Sequence, residues 1–317
     1  PDSDGPRSAW GMQRYVVLRL FRGLLTLLAV VAVTFALGRA TGDPVALLLP
    51  QGATVEDVLA MRARLGLDQP LYVQFGRYLG SVLQGDFGTS LVYNRPALTL
   101  IAERLPATLR LGLTSFLLAI LVGVPLGVLA ATGRGGLFDR LVRDISLALQ
   151  SLPSFFLGIL GILLFGVTLR WLPTFGDASL RHYVLPVVTM TLLPLALILR
   201  LVRASLLDVL SEDYVRTARA KGLHGAWVVV RHGLRNALIP VVTVLGLQLA
   251  SLIGGSVVIE TVFAWPGVGS LAVEAIGGRD FPIVQTVVLL SGAAFVLINL
   301  LVDLSYALLD PRVEVAE

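Results

Sequence analysis

Six apolar runs, about Val16–Leu37, Ala107–Ala131, Ile145–Leu169, Val184–Leu201, Leu238–Phe263 and Val284–Leu309, constrain this chain more than any other feature. A helix needs roughly 20 apolar residues to cross a bilayer, and within lipid every backbone polar group must be bonded inside the protein. The runs therefore predict an all-α integral membrane protein with six transmembrane helices. Composition agrees, at 56% hydrophobic and 15% charged, against about 25% charged in soluble domains. Pro125, Pro153 and Pro194 fall inside runs and predict kinks there.

Basic residues orient the spans. With the N-terminus inside, fifteen arginines and lysines fall on short inner flanks, whereas Arg170, Arg181 and Arg279 alone fall on short outer ones. The positive-inside rule then places both termini in the cytoplasm of a multi-pass plasma (inner) membrane protein. Along the chain, residues 1–13 read as a polar tail or a non-native extension, and 14–37 as the first span. Residues 38–106 read as a long extracytoplasmic loop and 107–309 as a five-helix core with an inner loop at 204–237. The last segment, 310–317, reads as a cytoplasmic tail. The first run is long enough to stay in the membrane, so it is not expected to be a cleaved signal peptide. Within the long loop, Thr54 followed by Glu56 and Asp57 predicts a helix start, with its end near Gly66. A second short helix is expected from Pro70 to Gly85.

Several chemistries lack their residues. The chain has no cysteine, which removes disulfides, thiolate metal sites and thiol catalysis. Its one lysine, Lys221, stands between Ala220 and Gly222, so no phosphate-binding loop of the Gly-Lys-Ser/Thr type can form. Neither HExxH nor GxSxG occurs. His182, His224 and His232 are the whole imidazole supply, so no metal site and no catalytic residue is expected. The pI of 9.8 reflects cytoplasmic arginines rather than a nucleic-acid surface, because no basic stripe with stacking aromatics is present. The middles of the spans hold few ionisable groups, which leaves a proton relay little to work with. Energy for uphill transport would have to come from outside the chain.

The most polar stretch, SEDYVRTARAKGLHGAWVVVRHGLRNALIP, covers Ser211–Pro240. Read as a helix, it has Ser211 as N-cap, acids in the first turn, Arg219 and Lys221 at the other end, and Gly222 just past it. A Glu212–Arg216 pair at i,i+4 has the favourable polarity. Ten residues make a helix of about 15 Å, too short and too polar to span. Isolated helices of that length are marginal in water, so this one is expected to pack on something.

DYVRTARAKG followed by RHGLRNALIP resembles the EAA-type motif of permease subunits of ATP-binding-cassette (ABC) importers. GDPV at 42–45, LGLDQPLYVQFGRYL at 65–79, GDFGTSL at 85–91 and LPATLRLG at 105–112 are similar to stretches of its dipeptide/oligopeptide branch. So are ETVFAWPGVGSLAVEAI at 260–276, RDFPIVQ at 279–285 and LLVDLSYALLDPR at 300–312. The resemblance implies a type I importer permease fold with a long extracytoplasmic loop between its first two helices. It implies partners too: a second homologous permease subunit, two ATPase subunits and an extracytoplasmic substrate-binding protein. No cofactor is expected in this chain; ATP and Mg would sit on the ATPases. By the same resemblance Glu212, Tyr214, Val215, Arg216, Ala218, Arg219, Ala220, Lys221 and Gly222 would couple to an ATPase, the small residues permitting close packing. The name-giving glutamate position of the motif is occupied by Arg216. Polar residues within spans, Gln150, Ser151, Ser154, Gln248, Ser251 and Ser256, are candidates for the translocation path, although helix–helix hydrogen bonding explains such residues equally well. Peptides are the expected substrates. Nickel, glutathione and haem are alternatives within the branch, and a non-transporting scaffold is an alternative outside it.

Overall fold

The computed structural model describes residues 7–40, Val45, Leu49, 52–64 and 66–309. In chain order its helices are α1 (Arg7–Ala40), α2 (Val55–Arg64), α3 (Leu71–Leu83), α4 (Ala97–Thr132), α5 (Leu137–Ser151) and α6 (Ser154–Gly161). There follow α7 (Leu180–Leu210), α8 (Asp213–Ala220), α9 (Gly225–Trp227), α10 (Arg235–Val262), α11 (Val268–Gly277) and α12 (Phe281–Leu309). Two π-helical segments, Ile162–Thr168 and Val228–Leu234, continue α6 and lead into α10. Among the described residues five helices are long and apolar enough to cross a membrane, and the bent pair formed by Leu137–Ser151 and Ser154–Thr168 makes a sixth if counted as one span.

That bent pair departs from the expected kink. The chain turns by 104° between α5 and α6, which is a break. Leu152 takes an extended conformation (φ −103°, ψ 135°) directly before Pro153, as proline imposes on the residue before it. Elsewhere proline is absorbed: Pro186 and Pro194 lie within α7, and Pro240 within α10.

Internal packing divides the chain into two units, Pro1–Pro106 with Leu271–Glu317, and Ala107–Ser270. In the first, α1 packs along α12, and Gln285 Nε2 donates to the Thr34 carbonyl at 3.3 Å. Phe35 of α1 meets Phe75 and Tyr78 of α3 with ring centroids 5.4 and 5.8 Å apart. The expected start of α2 is a reciprocal cap. The Thr54 backbone N–H donates to the Asp57 carboxylate at 3.0 Å, and the Asp57 N–H donates to Thr54 Oγ1 at 3.2 Å. The Thr54 hydroxyl, and then its N–H, hold the Asp57 carboxyl below its ordinary pKa. Asp280, fully buried, accepts from Ser90 Oγ and from the N–H groups of Leu91 and Val92, both at 3.2 Å. GDFGTSL and RDFPIVQ, far apart in sequence, thus meet on one carboxylate.

The second unit is a column of side chains along α4, α7 and α10. Leu111, Leu185, Met190, Ile259, Phe263 and Trp265 form one cluster. Ala119, Ile198, Val202 and Val241 form the next, and Ala131, Leu206 and Ala237 a third. At one end of this column Glu260, also fully buried, accepts from Thr108 Oγ1 at 2.7 Å and from the N–H groups of Gly269 and Ser270 at 2.7 and 3.0 Å. Trp265 Nε1 donates to the Ala107 carbonyl at 3.1 Å. The carboxylate thus occupies the N-terminal end of α11, where the helix dipole favours an anion.

A third buried acid, Asp139, joins α5 to α7. Arg203 grips it with Nε and Nη2, the latter at 2.9 Å from Oδ2, and the Gly135 N–H donates to Oδ2 at 2.9 Å. Asp139→Asn keeps the shape but loses the charge of a partly exposed pair. A loss of about 1.5 kcal/mol is expected, measurable as a lower thermal-unfolding midpoint of the purified complex. An unchanged midpoint would remove the pair from the account of stability.

Candidate coupling helix and translocation path

Helix α8 is shorter than the expected 212–222 element and begins differently. Ser211 ends α7: its Oγ donates to the Asp208 carbonyl at 2.7 Å and its backbone is in the right-handed helical region. Glu212 takes the N-cap conformation (φ −68°, ψ 148°) without a side-chain capping bond. Ser211 keeps the helical backbone of the preceding helix, so the extended N-cap position falls one residue later, on Glu212. The expected Glu212–Arg216 pair is replaced by Arg216 to Asp213 at 3.3 Å, an exposed i,i+3 contact that contributes little. The other end is as expected. Gly222 has φ +76° and its N–H donates to the Arg219 carbonyl at 2.9 Å, a left-handed termination that glycine adopts without strain.

The helix has two faces. Val215 is fully buried and Ala218 nearly so, packed with Val228 against Val209 and Leu210 at the end of α7. Both residues therefore contact this chain's own core, and the small size of Ala218 is used inside the molecule. Tyr214 ties the same helix to the root of α10: its hydroxyl donates to the His232 carbonyl at 3.3 Å and accepts from Asn236 Nδ2 at 2.7 Å. Glu212, Arg216, Arg219, Ala220, Lys221 and Gly222 are exposed. Beyond them Leu223, Trp227 and Val230 form an exposed apolar rim, with the Arg231 guanidinium 5.6 Å from the Trp227 ring centroid.

The path candidates do not form one group. Gln150, Ser151 and Ser154 cluster at the α5–α6 break, where Gln150 Oε1 accepts from Arg200 Nη1 at 2.7 Å. Ser151 is exposed and bonds to the Leu147 carbonyl at 2.9 Å; Ser154 is half-buried. Gln248 is half-buried on α10, and the Ser251 side chain lies outside the described residues. Ser256 is fully buried within this chain; small hydroxyls on a span are used for helix packing as readily as for lining. Among the described residues no group of histidines and acids is placed to hold a metal ion.

Sequence reasoning missed Arg200 and the three buried acids as organising residues. The acids carried a signal: each stands in or beside an apolar run, next to glycine- or proline-containing turns that expose backbone N–H groups to it.

Residues 123–315 match the family described as binding-protein-dependent transport system inner membrane component, and residues 12–112 match its membrane-component N-terminal family. The glutathione transport system permease protein GsiC of Escherichia coli (strain K12) is 47% identical over 304 residues, 95% of this chain and 99% of that protein. GsiC of Salmonella typhimurium (strain LT2) is 47% identical over 303 residues, with the same two coverages. Among solved structures, the inward-facing MetNI methionine ABC transporter gives a TM-score of 0.57 at 23% identity, covering 67% of this chain and 97% of that one. An amino acid ABC transporter with histidines gives 0.53 at 14% identity, covering 66% and 93%. These two likenesses concern the fold alone.

Proposed function

Because the chain belongs to the binding-protein-dependent transport system inner membrane component family and is the permease subunit of an ABC importer, we propose that it moves small peptides inward, glutathione-like tripeptides among them, and that α8 receives the stroke of a cytoplasmic ATPase. The substrate reading is supported by the glutathione permeases to which the chain is similar over 95% of its length. The coupling reading rests on one observation, the placement of α8. Its Val215 face is sunk into the chain while Arg216, Arg219 and Lys221 face outward.

In this reading a second, homologous permease completes the passage and two ATPases bind ATP and Mg. An extracytoplasmic binding protein delivers substrate, and both termini of this chain are cytoplasmic. No ATPase or other catalytic site belongs to this chain. Closure of the ATPases around ATP displaces α8. The ends of α7 and α10 follow, and the passage switches from inward- to outward-facing to receive substrate before resetting.

The test is uptake into proteoliposomes carrying the full complex, with labelled glutathione and labelled dipeptides supplied on the binding-protein side. ATP-dependent accumulation of one or both is expected. An active ATPase with accumulation of neither would overturn the peptide reading.

Gly222 offers a narrower test of α8. Within this chain nothing lies within 4 Å of where its Cβ would be, so conformation rather than space is the constraint. A tryptophan in the left-handed region costs roughly 1–2 kcal/mol, a factor of about 5 to 30 in the population of the native helix end. Gly222→Trp is expected to lower solute moved per ATP hydrolysed by a factor in that range. Gly222→Asn should remain near the unaltered protein, since asparagine visits this region. Equal, unaltered coupling in both would remove Gly222 from the coupling helix.

A further inference from the structure

Arg200 is a cation that no part of the transport reading uses. It stands in the last turn of the apolar run Val184–Leu201, about 30 Å along α7 from Leu180. A hydrocarbon layer of about 30 Å puts it at the inner mouth of the passage in the orientation proposed above. The side chain is exposed, and its one partner among the described residues is neutral, Gln150 Oε1 at 2.7 Å from Nη1. The neighbouring arginines differ: Arg203 is bound to Asp139, and Arg143 to Asp144. Asp208, the next acid along α7, is two turns further on, about 12 Å along the axis.

The bond to Gln150 also sets a direction. Gln150 and Asp139 are eleven residues apart on α5, yet they meet α7 three residues apart, so α5 crosses the inner end of α7. By occupying Nη1, Gln150 leaves Nε and Nη2, one complete fork of the guanidinium, without a partner among the described residues. The Gln150 Nε2 donor is unused there as well. A cavity of about 370 Å³ opens beside the pair, where Leu147 of α5 faces Leu197, Arg200 and Ala204 of α7. An oriented arginine fork over an apolar floor suits a carboxylate that carries a small side chain next to it.

We propose that Arg200, positioned by Gln150, receives the C-terminal carboxylate of the peptide at the inner mouth before release. Nε and Nη2 donate to the two carboxylate oxygens, and the terminal side chain rests on Leu147 and Leu197. The proposal rests on the peptide reading and adds a specificity to it, the requirement for an unblocked C-terminus.

Ala204, exposed one turn beyond Arg200, provides a probe that leaves the arginine in place. The chain has no cysteine, so labelling of Ala204→Cys by a membrane-impermeant methanethiosulfonate is read as added mass on this subunit alone. The nucleotide-free complex of both permeases and both ATPases, in nanodiscs, is labelled in the presence of trialanine or its C-terminal amide. Labelling is expected, and trialanine should slow it. The amide should need about tenfold more for the same protection, the low end for a charged hydrogen bond because the site is open to water. Adding Arg200→Gln should make acid and amide equivalent, which a loss of packing alone would not do. Arg200→Lys, a charge without the fork, should keep part of the difference.

Three results overturn the proposal. One is no labelling of Ala204→Cys, which would put lipid or the second permease over the site. The others are equal protection, or none, by acid and amide, and a preference for the acid that survives Arg200→Gln. Peptide uptake into proteoliposomes separates the two readings: with uptake present and labelling indifferent to the carboxylate, the Arg200 site alone falls.

Discussion

Val215→Asp is expected to reduce ATP-driven uptake to background while leaving the membrane spans folded. Val215 is fully buried against Val209, Leu210 and Val228, and a carboxylate there has no cation to pair with in that cluster. Burying an unpaired charge costs several kcal/mol, more than an eight-residue helix gains from its remaining contacts. The helix would leave its seat and hydrate. Uptake, ATPase activity and far-UV helicity together read the outcome: uptake lost, helicity nearly unchanged, and hydrolysis no longer linked to transport. Val215→Ala, which only thins the packing, should retain a measurable fraction of uptake. A Val215→Asp complex that transports at the unaltered rate would show that α8 transmits nothing through this seat.

Glu260→Ala carries the largest expected cost in stability. It removes the acceptor of Thr108 Oγ1 and of the Gly269 and Ser270 N–H groups, all buried. Each buried donor left unpaired costs roughly 1–3 kcal/mol, and three are orphaned together. A cavity at the α10–α11 corner adds to the loss. The complex should fail to accumulate in the membrane, or unfold well below the unaltered protein. Glu260→Gln, with one carbonyl acceptor left, should fall between the two. If Glu260→Ala accumulates and unfolds as the unaltered complex does, the carboxylate is not the fastening described.

The apolar runs made the spans legible, because lipid leaves a chain few alternatives to the helix. What they could not convey was continuity. The run Ile145–Leu169 looks like one span, yet its helix breaks at Leu152–Pro153 and turns by 104°, since hydropathy is blind to backbone direction. The polar stretch announced a short helix with a glycine stop, and Gly222 supplies it. Its start was misplaced because a serine can stand at the end of one helix or the beginning of the next, and the backbone, helical at Ser211 and extended at Glu212, decides. The motif stretches quoted for the resemblance were visible singly. Their pairing was not, since contacts such as Thr108 to Glu260 bridge more than 150 residues. The inward-facing half of α8 was also hidden: Val215 and Ala218 read equally well as partner contacts until Val209 and Leu210 are placed against them.

Helix α8 is harnessed twice, by the Val215 seat at the end of α7 and by the Tyr214 hydroxyl at the root of α10. It therefore behaves as a yoke rather than a hinged flap. A displacement of this helix is felt at both attachments, the packed seat on α7 and the hydrogen bonds to α10. If α8 receives the stroke proposed above, one point of contact loads both spans at once.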